Sequence, residues 1–136
     1  MPDPRPIAPG LFTVGPDGPT LAAARCAACT RMHFPAGPAC PYCAAADVRP
    51  AVVGPTGRLW LFTVVSSRPP GYRGPLPYGF GVVELDGGLR VVARLTEARL
   101  ERLRPGLPMR LVVEPLFDDD EGRPVLSWAF APEAGV

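Results

Sequence analysis

The sequence predicts a mainly β protein in two parts: a metal ribbon with four cysteines, then a five-stranded OB-fold barrel carrying one short helix between strands three and four. Two observations predict it. The four cysteines form two Cys-x2-Cys pairs with ten residues between them, and after residue 57 five β-branched or aromatic runs alternate with Pro/Gly turns. One helical stretch interrupts those runs after the third, giving the order β-β-β-α-β-β.

Taken in chain order, residues 1–20 hold six prolines and no sustained period, so they read as an extended N-terminal arm. Its apolar cluster of Ile7, Leu11, Phe12 and Val14 favours docking over disorder. The ribbon is assigned to residues 21–50, with the Ala-rich stretch 21–25 leading into the first cysteine pair. Residues 44–57, with Pro50, Gly54, Pro55 and Gly57, read as a linker, and the OB-fold is assigned to 51–136. Barrel strands are expected over residues 58–67, 80–85, 89–95, 109–116 and 124–130. Asp86-Gly87-Gly88 is a tight hairpin turn, and residues 118–122 (DDDEG) form another. Residues 96–103 (TEARLERL) are expected as the helix, with Thr96 as N-cap, Leu100 and Leu103 on one face, and Pro105-Gly106 as the stop.

Composition narrows the function. The chain has 136 residues, a net charge of +1, and 14 basic residues that are all arginine. Near-zero charge gives no bulk electrostatic reason to bind nucleic acid or an anionic membrane. The absent lysines exclude Schiff-base and P-loop lysine chemistry. No run reaches the ~20 apolar residues of a membrane span, and the first residues lack a signal-peptide core, so the expected location is cytoplasmic. Four cysteines in a reducing compartment suggest metal binding over a disulfide framework.

Two residues between paired cysteines let both sulfurs face one point. A second knuckle opposite completes a tetrahedral cage from Cys26, Cys29, Cys40 and Cys43, with metal–sulfur bonds of ~2.3 Å. When sulfur fills all four positions no site is left for water, so the ion is structural rather than catalytic. One zinc per chain is the expected ion; iron in the same cage would make an electron carrier, and is the alternative. Cys40-Pro-Tyr-Cys43 also matches a glutaredoxin arrangement, but residues 44–50 are too short for the helix that chemistry needs. Phe34 and Tyr42 are placed to shield the cage.

No catalytic set emerges. His33, the one histidine, lies in the ribbon loop without a free cysteine to pair with, and reads as a loop or interface residue. Ser66 and Ser67 lack a G-x-S-x-G context. Glu84 and Glu114 read as isolated, exposed strand carboxylates, and the acidic turn lacks calcium-loop spacing. Residues 66–79 stand out instead, a Pro/Gly loop longer than usual hairpins that carries Arg68, Tyr72, Arg73 and Tyr78 just before Phe80. Aromatic and cationic loops of this length serve contact, and prolines lower their ordering cost. Arg99 and Arg102 on the expected helix are further candidates for an anionic ligand.

These features together resemble the acyl-CoA-associated family of rubredoxin-like zinc-ribbon/OB-fold proteins. The likeness runs from about Pro19 to Pro132 and rests on residues 21–29, Phe34-Pro35, 40–43, Gly57-Arg-Leu-Trp60, Pro77-Tyr-Gly-Phe80, 87–95, Pro105-Gly106 and 129–132. The family pattern has glycine after the second and fourth cysteines and arginine before the final proline; here these are Thr30, Ala44 and Ala131. The first two departures loosen the knuckle turns, and the third puts an anion-binding role there in doubt. The resemblance implies a noncatalytic accessory subunit of a thiolase or thiolase-like aldolase, forming a heterotetramer or larger assembly and bearing on CoA directly or indirectly. Arg68, Tyr72, Arg73, Tyr78, Phe80, Arg99 and Arg102 are then the expected partner or CoA contacts. The competing reading is single-strand nucleic-acid binding, a use both ribbons and OB barrels serve, with Trp60, Phe62 and Trp128 as stacking candidates. The charge balance weighs against it.

Overall fold

The computed structural model describes residues 3–133, which form two sheets. The larger contains the expected barrel. Its strands are β6 (Thr56–Val65), β7 (Tyr78–Leu85), β8 (Arg90–Leu95), β9 (Pro108–Asp118) and β10 (Pro124–Pro132). β6, β7 and β8 run as an antiparallel meander, β10 joins β8 in parallel, and β9 closes the ring between β10 and β6. The order β6-β7-β8-β10-β9 back to β6 is that of an OB-fold.

Alternation along the strands builds the core. In β7 and β8 the buried positions Val83, Leu85, Val91, Ala93 and Leu95 point inward, against Leu59, Met109, Leu111 and Phe130 from the other strands. Burying each large apolar side chain contributes about 1.5–3 kcal/mol. Glycine is needed where strands crowd: a Cβ at Gly57 or Gly81 would run into the backbone oxygens of Glu84 and Leu61 respectively. The turn at Gly87-Gly88 is as read from the sequence, with positive φ at both glycines (104° and 99°) and a Leu85 amide donating to Leu89 O at 2.8 Å.

The expected helix over 96–103 is corrected to a single 3-10 turn at Leu100–Arg102. Its flanks are extended: Arg99 has φ −100°, ψ 116°, and Leu103 has φ −106°, ψ 138°. Thr96 does not cap it; its amide donates to Phe130 O at 2.9 Å and so continues the pairing of β8 with β10. Leu103 is buried while Leu100 is exposed, so the two do not share an apolar face. Eight residues are too few to hold a helix by local bonds alone, and the strand pairing wins.

The smaller sheet comprises β2 (Phe12–Gly15), β3 (Gly18–Cys26), β4 (Met32–His33) and β5 (Val48–Val53). β3 is its centre, pairing with β2 and then β4 on one side and with β5 on the other. The stretch read as a linker therefore contains a strand: residues 48–53 pair antiparallel with 21–26. Pro50 suggested a break, yet among the described residues β5 pairs only with β3, and an edge strand tolerates proline. Near the front of the chain, β1 (Arg5–Pro6) adds in parallel to β10, and the Ile7 amide donates to Leu126 O at 2.8 Å. The two sheets meet through Leu21, which is buried in the barrel core cluster, and through Phe34, whose ring stands edge-on to Trp128 at 5.2 Å.

Candidate metal centre and contact loop

The two cysteine knuckles repeat one backbone design. In the first, the Thr30 amide donates to Cys26 O and the Cys26 amide to Arg31 O, both at 2.9 Å. In the second, the Ala44 amide donates to Cys40 O and the Cys40 amide to Ala45 O, also at 2.9 Å. Each turn also aims an amide at a sulfur: Cys29 N–H at Cys26 Sγ and Tyr42 N–H at Cys40 Sγ, both 3.4 Å. The turns close through left-handed residues, Thr30 at φ 68° and Ala44 at φ 66°. These are the two positions where the family pattern has glycine. Side chains are costly there, most of all a β-branched one, so both turns carry backbone strain.

The four thiols converge. All four Sγ atoms lie within 4.8 Å of one another, with Cys26–Cys43 and Cys29–Cys40 each at 3.6 Å. A tetrahedral ion ~2.3 Å from each sulfur would space the sulfurs ~3.8 Å apart, so the set fits one metal ion. The electrostatics suit thiolate donors. An amide bond from Cys29 is the leading influence lowering the Cys26 thiol. For Cys40, burial raises the thiol, but the amides of Cys43 and Tyr42 outweigh it and hold it at about 7. For Cys43 the Ala45 amide lowers the thiol, but the neighbouring sulfurs, Cys26 first, push it up to about 11. Crowded thiols resist sharing their negative charge, which a cation at the centre would neutralise. Of the expected shields, Tyr42 is exposed, with Arg31 stacked 5.1 Å over its ring, and Phe34 packs on Trp128.

The loop candidates divide. Arg68 is an internal brace: its Nη1 donates to Tyr72 O (3.0 Å) and Gly74 O (2.9 Å). Tyr72 donates its hydroxyl to Pro75 O at 2.8 Å and stacks on Tyr78 at 4.7 Å; burial raises its phenol. Arg73 lies 4.7 Å over the Phe117 ring and pairs with Asp120 at 3.3 Å. Tyr78 leads on to Phe80, edge-on at 6.5 Å, so the aromatics form a line from the loop onto the sheet. Arg99 and Arg102 are not brought to this loop. They sit at the 3-10 turn, where Arg102 lines a separate cleft with Glu97 and Arg104, 3.8 Å from the Glu97 carboxylate.

Other residues proved more structured than the sequence suggests. His33 is buried in β4, and neither ring nitrogen has a partner among the described residues. Glu84 and Glu114 are not isolated: they pair with Arg90 at 2.9 Å and Arg94 at 2.6 Å. Arg94, absent from the sequence-based candidates, has a side chain only 14% exposed and a buried Nε–H without an acceptor among the described residues. It lines an apolar groove of about 440 Å3 between the arm (Ile7, Leu11), the loop tyrosines and the sheet (Phe80, Val92, Trp128). The alternation Arg90, Val92, Arg94 put its side chain outside the barrel; nothing in the sequence could show that the arm and loop cross over it.

The family pattern described as "ChsH2, C-terminal OB-fold domain" matches residues 51–114. A solved structure, the "Ltp2-ChsH2(DUF35) aldolase", is similar at 30% identity and a TM-score of 0.60, over 83% of this chain and 84% of that one. The chain belongs to the DUF35 family of ChsH2-type OB-fold proteins. Within the family's reach, it is 29% identical over 124 residues to the benzoylsuccinyl-CoA thiolase subunit BbsA of Thauera aromatica, covering 90% of this chain and 84% of the relative. It is also 33% identical over 87 residues to a probable enoyl-CoA hydratase alpha subunit of Thermomonospora curvata. That match covers 64% of this chain, and the chain spans only 27% of that relative's length. The proteins this chain is similar to are thus named as a thiolase subunit and as a DUF35-containing aldolase. None of the helices among the described residues is long and apolar enough to cross a membrane.

Proposed function

We propose that this DUF35 chain is a noncatalytic accessory subunit that binds a thiolase-fold partner, a thiolase or a retro-aldol lyase, acting on an acyl-CoA substrate. The observation that carries it is that every cysteine converges on one closed four-sulfur cage, which leaves no thiol for chemistry. The relatives named as a thiolase subunit and an aldolase point the same way. In this reading the cage holds zinc through Cys26, Cys29, Cys40 and Cys43, and the ion fixes the two knuckles to β3. Bond making and breaking belong to the partner, and the assembly is a heterotetramer or larger.

CoA contact, if this chain supplies any, falls to arginines free of internal duty. Arg99 fits that requirement: its guanidinium is exposed and makes no ion pair among the described residues, whereas Arg68 is committed to the loop backbone. The test is co-expression with candidate thiolase-fold chains from the source genome, followed by purification through a tag on this chain and metal analysis. A stable complex with one zinc per DUF35 chain is expected. A thiolase that never co-purifies and is soluble and fully active alone would end the proposal.

A further inference from the structure

The barrel's outer surface is uneven in polarity. Across β6, β7 and β8 the residues Leu61, Val82 and Val92 stand in register as one lateral row, and Phe80 and Arg94 stand opposite each other in a neighbouring row. Leu61 is 49% and Val92 58% exposed, so this is an apolar sheet face open to solvent. It runs without a break into the groove floored by Phe80, Val92 and Arg94. Charges beside the row are already matched: Arg90 pairs with Glu84 and stacks 3.7 Å over Trp60.

Arg94 shows what the occupant must bring. Its charge is balanced by Glu114 at 2.6 Å, but its buried Nε–H has no acceptor among the described residues. A second carboxylate there would face Glu114, so the missing group is a neutral oxygen. A small apolar ligand would fill the groove and leave the adjoining row wet, whereas a protein would cover both. Aromatic residues and a desolvated arginine at the centre of an apolar patch are the usual anchors of such contacts. Resting on the reading given under Proposed function, we propose that the outer face of β6–β8 and the Arg94 groove form the docking surface for the thiolase-fold partner, which inserts an apolar side chain and offers a backbone carbonyl to Arg94 Nε.

The experiment measures affinity between the purified partner and four forms of this chain: wild type, Val92→Asp, the double variant Arg94→Met/Glu114→Leu, and Val52→Asp. Val52 is 71% exposed on β5 of the other sheet and serves as the control. Metal content and melting temperature check that each variant is folded. Val92→Asp and the double variant are expected to bind roughly tenfold or more weaker, and Val52→Asp to bind like wild type. Binding of Val92→Asp and the double variant within about twofold of wild type would overturn the surface while leaving the partner reading intact. Failure of wild type to bind any thiolase-fold chain would instead bring down the partner reading, and this surface with it. Saturable binding of octanoate to the free subunit, lost in Val92→Asp while assembly is untouched, would make the groove a small-molecule site and also overturn the proposal.

Discussion

Between residues 26 and 47 only Cys26, His33 and Cys40 are buried, whereas the barrel buries Leu59, Val83, Leu95, Met109, Leu111 and Phe130 almost completely. The barrel carries a packed apolar core, to which the other sheet adds Leu21. The knuckle region has four sulfurs and a strand, β3, that lends it an anchor in the neighbouring sheet. The comparison teaches that the two halves of one small chain can depend on different forces, burial in one and ligation in the other.

The strongest way to break the comparison is Cys40→Ser. Removing one ligand is expected to abolish tight metal binding, which supplies ~10 kcal/mol in four-ligand zinc sites. Amide exchange should then rise across residues 26–47 while the barrel amides stay protected; uniform loss of protection would mean the halves are not separable. Phe130→Ala attacks the other side. Phe130 is fully buried, and its truncation is expected to cost about 3–5 kcal/mol in chemical denaturation, with metal stoichiometry unchanged below the transition.

Smaller effects sharpen the contrast. Thr30→Gly and Ala44→Gly relieve the left-handed strain at φ 68° and 66°, and each is expected to stabilise the metal-loaded knuckles by about 0.5–1 kcal/mol after the entropy cost of glycine. A lower melting temperature in either variant would show that the turns are not strained. The smallest effect is at the β9–β10 turn. The hydrogen bond from Arg5, then the Arg123 amide, holds the Asp119 carboxyl below its ordinary 3.8. A lowered carboxyl adds stability that is present above 3.8 and is lost as the pH falls through the folded value. Asp119→Ala should therefore melt below wild type at neutral pH, and the gap between the two should narrow as the pH falls below the ordinary carboxyl range.

Much of the barrel was legible because β-branched runs and glycine turns act locally: β6, β7, β8, β9 and β10 all lie where the apolar runs stand. The cage was legible for a similar reason, since Cys-x2-Cys spacing is a property of a single turn. What escaped depends on distant partners. β5 exists because β3 offers it an edge, and the helix failed because Phe130 claims the Thr96 amide. The loop candidates show the same limit: Arg68 and Tyr72 have contact-forming chemistry but spend it on their own loop, while Arg94 gains its unpaired donor from segments far away in the chain.

The ring of the barrel is closed where Thr56 meets Arg110 and Arg58 meets Pro108, residues some fifty positions apart, while β3 finds β5 across a much shorter span. During synthesis the knuckles can therefore capture their ion and mate with β5 before the ribosome has delivered the last two strands. The nascent chain would then wait with β6, β7 and β8 assembled but unroofed, so the pace of translation through β9 and β10 sets how long that half-built surface stays open to unwanted company.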